Sequence, residues 1–147
     1  MELPPFNDSG DLPEGIYSVS LVETLARFGG GSLQRAKVTA SLETIWQLAH
    51  RTAALDRLIV FGSYITDKAE PNDVDVIMVM RDDFRLDQCP AESQLIIKGP
   101  SMSWERVSSG FVHRCFFRKR WISSLLPGKS SVILPAEAFW RSSRDRK

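Results

Sequence analysis

Two short apolar runs joined by a polar loop constrain the fold of this chain more than any other feature. The first run covers Leu58–Phe61 and ends at Gly62–Ser63, and the second covers Val76–Met80 and begins directly after Asp73–Asp75. Short apolar runs bounded by turn residues are typical of buried strands. The pattern therefore predicts two strands of one sheet, with a small-residue turn and two carboxylates in the loop between them.

The two carboxylates in this loop are spaced to act together. Side chains alternate between faces along a strand, so Asp73 and Asp75 are predicted to lie on one face. Both could then reach one divalent cation, and magnesium is bound by one or two carboxylates together with water and substrate phosphate. Gly62 would let backbone N–H groups approach a phosphate, and the Ser63 hydroxyl would add a donor. The spacing thus indicates a metal and phosphate site.

An ordinary connection between strands is the alternative interpretation of this loop. Gly, Ser, Asn and Asp are turn residues on steric grounds alone, so Gly62–Ser63 by itself is weak evidence for a site. The paired aspartates are harder to explain in this way, because a strand buried on both faces has little use for charge at its first positions. They favour the functional interpretation.

At these residues the sequence resembles the nucleotidyltransferase superfamily, the polymerase-beta-like group. Its pattern is an apolar residue, Gly-Ser, a spacer of about seven to thirteen residues, and then Asp-apolar-Asp-apolar. The residues that match in order and type are Phe61, Gly62, Ser63, Asp73, Val74, Asp75 and Val76. The chain also resembles an uncharacterised bacterial family of that superfamily, in the segments Pro4-Pro5-Phe6, Leu12-Pro13-Glu14-Gly15-Ile16 and Arg27-Phe28-Gly29.

The resemblance implies a fold class of α/β type, a nucleotidyltransferase-like small mixed β-sheet backed by helices. One domain is expected over residues 1–147, with an extended arm at residues 1–17 and a basic tail at residues 141–147. The expected strands of the sheet are Leu58–Phe61, Val74–Met80 and Phe111–Phe117.

Helical spacing and turn residues complete the predicted secondary structure. Leu21, Leu25 and Phe28 predict a short helix, capped by Ser18 or Ser20 and ended by Gly29-Gly30-Gly31. A long helix is expected over Ser32–Ala54. A short strand is predicted at Gln94–Lys98, and a short extended piece is predicted at Val132–Leu134.

The resemblance also implies an activity. A nucleoside monophosphate would move from a nucleoside triphosphate, ATP first among them, to a hydroxyl of a protein, an RNA end or a small molecule, with Mg²⁺ or Mn²⁺ as cofactor. Asp73 and Asp75 would be catalytic and would hold the metal. Gly62 and Ser63 would hold the terminal phosphates, with Lys68 as a further phosphate contact from the loop.

The third carboxylate of the superfamily is not identified in this sequence. The strand expected to carry it reads FVHRCFF, with His113 and Arg114 in place of an acid, and Glu105 lies upstream of that strand. Arg114 could instead neutralise nucleotide phosphates, and His113 could serve as a base. An outward-facing pair on an edge strand is the simpler interpretation of these two residues.

Two functions besides catalysis stay open at this point. Loss of the third carboxylate would leave a binding module, such as a nucleotide sensor or one component of a toxin–antitoxin or defence pair with a protein partner. Nucleic-acid binding is the weaker alternative and depends on charge distribution: residues 111–147 carry nine Lys/Arg against two Asp/Glu, whereas residues 1–110 carry ten against sixteen. A solvated basic surface explains the same counts.

Cysteine usage and the first residues predict the compartment. Cys89 and Cys115 lack CxxC spacing, as expected for reduced thiols in a cytoplasmic protein. The beginning of the chain, MELPPFNDSGDLPEG, lacks a basic and then apolar leader, and no apolar run is long enough to span a bilayer. No membrane partner is expected.

Overall fold

The chain contains both helices and strands, as the apolar spacing predicts. The computed structural model describes residues 2–81, 84–98 and 130–136. In chain order the elements are β1 (Ile16–Ser18), α1 (Leu21–Phe28), α2 (Leu33–His50), β2 (Leu55–Phe61), β3 (Asp75–Met80), α3 (Ala91–Lys98) and β4 (Ser131–Pro135). Single 3₁₀ turns cover Ser63–Ile65 and Leu86–Gln88.

The four strands form one mixed sheet in the order β1-β4-β2-β3. β1 runs parallel to β4, while β2 pairs antiparallel with both β4 and β3. The mixed sheet with its helices confirms the predicted α/β fold class. The expected edge of the sheet at Phe111–Phe117 lies outside the described residues, as do residues 137–147.

Side-chain caps fix the beginnings of the first two helices. Ser20 accepts a hydrogen bond from the Glu23 amide, and the Glu23 carboxylate accepts one from the Ser20 amide, which completes a capping box at α1. The Ser20 hydroxyl also donates to the Glu23 carboxylate, and the hydrogen bonds that this carboxylate accepts from the Ser20 amide and hydroxyl lower the pKa of Glu23. Ser32 caps α2 in a similar way through the Arg35 amide. Both predicted helices are confirmed, although α2 ends at His50, earlier than Ala54.

The main hydrophobic core lies between α2 and one face of the sheet. It includes Val38, Leu42 and Trp46 of α2 together with alternate residues of the strands, such as Leu58, Val60, Val76, Met78, Val132 and Leu134. The opposite face carries a second cluster formed by Ile59, Ile77 and Val79, against which Phe61 and Ile133 pack. Both faces of the hairpin β2–β3 are therefore apolar, which explains its continuous apolar runs.

One predicted strand is wrong. Gln94–Lys98 belongs to α3, which begins after Pro90 and packs against α2, where the Ser93 hydroxyl donates to the Leu48 carbonyl. Arg51 and Glu92 add an exposed ion pair between the same helices. A short apolar run fits a strand or a buried helix equally well, and only the packing partner decides between them. Among the helices described, none is long and apolar enough to cross a membrane.

Candidate functional site

The end of β2 and the beginning of β3 meet at one glycine. Phe61 pairs with Asp75 across the two strands, so the next residue, Gly62, lies directly beside the Asp75 carboxylate. Gly62 has φ +81° and ψ −160°, a conformation essentially restricted to glycine. A Cβ at this position would overlap an oxygen of Asp75. Glycine is therefore required here both by the backbone angles and by the close approach of the carboxylate.

The two aspartates flank a fully buried residue. Val74 is 0% exposed, whereas Asp73 and Asp75 are half-buried, in agreement with the predicted alternation. β3 itself begins at Asp75, so Asp73 immediately precedes the strand. With the Ser63 hydroxyl on the neighbouring turn, the donor set consists of hard oxygen ligands, which fits magnesium. Within residues 2–81, 84–98 and 130–136, no three His, Cys, Asp or Glu side chains cluster to hold a metal.

The turn after Gly62 is anchored in the core by its own side chains. Tyr64 is 0% exposed and Ile65 is 2% exposed. The Tyr64 hydroxyl shares a 2.9 Å hydrogen bond with the Thr39 hydroxyl of α2, and burial raises the pKa of Tyr64. Thr66 closes the turn, since its amide and its hydroxyl both donate to the Ser63 carbonyl. Ser63 is thus held in place by the buried Tyr64 that follows it and by the two hydrogen bonds from Thr66.

A buried arginine in the first turn of α2 fixes the loop backbone. Arg35 is 5% exposed, and the largest effect on its guanidinium is burial, which lowers its pKa. Its side chain donates five hydrogen bonds of 2.5–3.0 Å, and every acceptor is a backbone carbonyl. The four acceptor residues are Phe28, Tyr64, Thr66 and Lys68. One side chain therefore joins the end of α1 to three residues of the loop.

Two neighbours of Arg35 hold the rest of the loop. The Ser32 hydroxyl donates to the Ala69 carbonyl at 2.7 Å, and the Gln34 amide donates to the Pro71 carbonyl at 3.0 Å. Together with Arg35 they bind backbone carbonyls from residue 64 to residue 71. The first turn of α2 therefore fixes the path of the chain between the Gly62 turn and the two aspartates.

A cavity of about 550 Å³ opens beside the Gly62 turn. Its described lining comes from the turn and from the N-terminal arm, and consists of Asn7, Asp11, Leu12, Glu14, Gly62, Ser63, Ile65, Thr66 and Ser130. Asp73 and Asp75 are not among the residues that line this cavity. Its volume is in the usual range for small-molecule sites.

The arm that walls this cavity is docked firmly on the loop and on β4. Leu12 is 2% exposed, and its carbonyl accepts a 2.6 Å hydrogen bond from Ser130. The Asp67 amide donates to the Gly10 carbonyl, and Gly10 has φ +80° with the Asp67 side chain packed against it. The extended, turn-rich arm predicted over residues 1–17 is thus a structural wall of the site, and its last residues belong to β1.

The structure brings together most of the predicted site residues that it describes. Gly62, Ser63 and Asp75 are adjacent, and Asp73 directly precedes the strand. Lys68 is exposed on the loop, does not line the cavity, and contributes its carbonyl to Arg35. The predicted contacts at Arg114, His113 and Glu105 lie outside the described residues.

Sequence reasoning missed Arg35 and the arm residues of the cavity. A signal for Arg35 existed, because it falls within the apolar spacing of α2 where a charge is unexpected. The contribution of the arm had no comparable signal, since it depends on where the chain docks.

The protein is of the α/β class, and one end of its β2–β3 hairpin carries a glycine turn and two carboxylates. The chain belongs to DUF6932, a family of unknown function, whose model matches residues 4–106. No curated protein matches the chain. No solved structure matches it either.

Proposed function

We propose that this protein is a nucleotidyltransferase that moves a nucleoside monophosphate from a nucleoside triphosphate, with ATP as the first candidate, to an acceptor hydroxyl. The observation that carries the proposal is the packing of the Asp75 carboxylate directly on Gly62. This contact joins the phosphate-binding element and the metal-binding element of the sequence pattern into one site. The close approach of Asp75 requires a glycine at position 62 that no other residue can replace. An ordinary connection between two strands does not need such a contact.

Each residue of the site has a role that its chemistry permits. Asp73 and Asp75 would hold Mg²⁺, which supplies charge neutralisation for the phosphates when bound. The Ser63 hydroxyl would donate to a phosphate oxygen, and the absence of a side chain at Gly62 leaves its backbone accessible. The fixed loop keeps these groups in position before the substrate binds, which is how positioning lowers a barrier.

The transfer itself replaces one phosphorus–oxygen bond with another. The acceptor oxygen forms a bond to the α-phosphorus while the bond to the bridging oxygen breaks, and pyrophosphate leaves with that electron pair. The acceptor hydroxyl proton is lost to a base or to solvent. The cavity beside Ser63 would take the nucleoside or the acceptor, and Asp11 and Glu14 make its arm wall acidic.

Calorimetric titration of ATP with magnesium tests the nucleotide site. Wild type is expected to bind with an affinity that depends on magnesium, and Asp73→Ala/Asp75→Ala is expected to lose that binding. Asp87→Ala, which removes an exposed carboxylate remote from the turn, is the matched control and should bind like wild type. Equal binding by wild type and the double variant, or no binding by either, would overturn the proposed site.

A nucleotide-binding module without transferase activity is the second candidate. It is favoured by the finding that, in the described part of the chain, no third carboxylate clusters with Asp73 and Asp75 to hold a metal, whereas the superfamily pattern has three. Pyrophosphate release and radiolabel transfer from α-labelled ATP into a lysate distinguish the two functions. Binding that depends on Asp73 and Asp75 without release or labelling would favour the module, and labelling lost in the double variant would favour the enzyme.

A further inference from the structure

A second cavity, of about 630 Å³, lies at the opposite end of the hairpin from Gly62. It brings together residues from the end of α2, the beginning of β2, the residue after β3 and the end of β4. Its described lining consists of Ser18, His50, Ala53, Leu55, Asp56, Arg57, Arg81, Ile133, Pro135 and Ala136. None of these described lining residues belongs to the site proposed for the nucleotide.

Strand register places the two arginines of this cavity on one face. Arg57 pairs with Val79 in the antiparallel ladder, and Arg81 follows two residues after Val79, so side-chain alternation puts both arginines on the same side of the sheet. Arg57 also pairs with Pro135 of β4. Diagonal neighbours in an antiparallel pair lie within reach of long side chains. Both guanidinium groups can therefore contact one small ligand.

The described lining of the cavity contains two guanidinium groups and one carboxylate. Asp56 accepts a 2.7 Å ion pair from Nε of Arg57, which leaves the two terminal nitrogens of that planar group on its outer edge. Arg81 donates a hydrogen bond to the Ala53 carbonyl. His50 adds an imidazole ring. The described lining thus has more basic than acidic side chains. Residues 1–110 as a whole have the opposite balance, with ten Lys/Arg and sixteen Asp/Glu.

Most of the remaining described lining is apolar. Ile133 and Pro135 are half-buried on the face that carries Arg57, whereas Leu55 is 4% exposed and belongs to the main core. A cavity with apolar walls and a few convergent charged groups is the usual form of a small-molecule site. Guanidinium groups recognise carboxylate and phosphate through two parallel hydrogen bonds. A ligand that satisfies both features carries an oxyanion and an apolar group.

We propose that this cavity binds a small oxyanion with an apolar substituent, either a phosphate monoester or a carboxylate, through Arg57 and Arg81. The oxyanion lies between the two guanidinium groups, and the apolar substituent packs on Ile133 and Pro135. The site is independent of nucleotidyl transfer, since it shares no residue with the Gly62 turn.

Titration with phenyl phosphate, inorganic phosphate, benzoate and phenol tests the proposal, with magnesium absent. Phenyl phosphate or benzoate is expected to bind about tenfold more tightly than inorganic phosphate, because the ring buries apolar surface. Phenol, which lacks the oxyanion, is expected not to bind. Arg81→Gln and Arg57→Gln should each raise the dissociation constant of the better ligand about tenfold, since each removes a charge-assisted contact.

Three controls separate this cavity from other anion sites and from loss of structure. Arg51→Gln removes an exposed arginine outside the cavity and should leave binding unchanged. Asp73→Ala/Asp75→Ala and Ser63→Ala alter the other end of the hairpin and should also bind normally. Arg81→Lys keeps the charge and should lose less affinity than Arg81→Gln, and thermal unfolding shows that each variant is folded.

The first three results that would overturn the proposal concern binding to the wild type and to the arginine variants. These are binding that both arginine variants retain, binding of phenol equal to that of phenyl phosphate, and no saturation by any oxyanion at millimolar concentration. Loss of binding in Ser63→Ala but not in Arg81→Gln would also overturn it, because the anion would then occupy the Gly62 turn.

Discussion

The two ends of the hairpin β2–β3 differ in charge and in the way that they are held. One end carries Asp73 and Asp75 beside the Gly62 turn, and the other carries Arg57 and Arg81 around a second cavity. One face of β3 carries Asp75, Ile77 and Val79 in this order, and Arg81 follows the strand. The apolar residues Ile77 and Val79 therefore separate the acidic end from the basic end. On this face the buried cluster of Ile59, Ile77 and Val79 uses only the middle of the two strands, so the charged residues lie at the strand ends.

The acidic end is fixed by side chains of α2, whereas the basic end is fixed by an ion pair between neighbours and by a hydrogen bond from Arg81 to the Ala53 carbonyl. Arg35, Ser32 and Gln34 reach from α2 to hold the loop of the acidic end, over separations of 29 to 37 residues between the hydrogen-bonded pairs. At the basic end Arg57 pairs with its own neighbour, Asp56. The acidic end should therefore respond strongly to changes in α2, and the basic end should not.

The largest effect is expected from Arg35→Met. This variant leaves four carbonyls without their guanidinium partner inside the protein, and we expect a loss of about 3 kcal/mol in unfolding free energy, measured by urea denaturation. ATP binding at the acidic end should weaken with it, while oxyanion binding at Arg57 and Arg81 should persist. Lys37→Met, an exposed change two residues later on α2, is the control and should cost little. Equal stability of the two variants would contradict the role given to Arg35.

Gly62→Ala should have the next largest effect, with a cost of about 2 kcal/mol in unfolding free energy. The cost arises from the backbone angles and from the overlap of the new Cβ with Asp75. Gly30→Ala is the control, since a Cβ at Gly30 meets nothing within 4 Å. In Gly62→Ala/Asp75→Ala the overlap is removed and part of the stability should return. Additive losses in the double variant would contradict the close contact.

A smaller effect is expected from Tyr64→Phe, which removes the buried hydrogen bond to Thr39. We expect a loss of about 1 kcal/mol at neutral pH, measured by thermal and urea unfolding. Tyr17→Phe is the control, because the Tyr17 hydroxyl donates to Pro13 at an exposed position. The same loss from both variants would argue against a special role for the buried pair.

The alkaline limb of the wild-type stability curve reports on the same tyrosine. Burial raises the pKa of Tyr64 above its ordinary value of 10.0, so folding favours the neutral phenol. The stability from this group is complete below the unfolded pKa and is lost as pH rises through the raised folded pKa. Unfolding free energy should therefore fall more steeply with alkaline pH in wild type than in Tyr64→Phe. Parallel curves would contradict the link to Tyr64.

The smallest effect, and the opposite sign, is expected from Ala53→Gly at the basic end. Ala53 follows α2 with φ +58°, and it is the single non-glycine residue with positive φ in the described ranges. Glycine adopts this conformation without a Cβ penalty, so a gain of about 0.5 kcal/mol is expected. Ala40→Gly, in the middle of α2, should instead destabilise the protein. A loss in both variants would show that Ala53 is not strained.

Several elements could be predicted from the sequence because their causes are local. The helix Leu21–Phe28 follows from apolar spacing, a capping box at Ser20 and a glycine after its end. The hairpin strands follow from apolar runs that end at turn residues. The pair Asp73 and Asp75 could be located because alternation along a strand is a property of the backbone. Each of these signals lies within a few residues of the element that it specifies.

Other features could not be predicted because they depend on distant parts of the chain. The apolar residues around Leu95 are compatible with a strand or with a helix. Their segment forms the helix α3 because it packs against α2. Val132–Leu134 reads as a short extended piece, yet it lies inside the sheet between β1 and β2. The role of Arg35 depends on carbonyls about thirty residues away, as shown by its hydrogen bonds to Tyr64, Thr66 and Lys68.

The sequence by itself determined the α/β class, the first two helices, the hairpin and the position of the glycine turn and the acid pair. Tertiary structure alone decided that Asp75 packs on Gly62 and that the N-terminal arm lines the cavity beside it. It also decided that Arg57 and Arg81 line one cavity at the other end of the hairpin. The physical reason is the range of the interactions involved. Backbone sterics and side-chain alternation act between near neighbours, whereas cavities and buried charges exist only after distant segments have packed together.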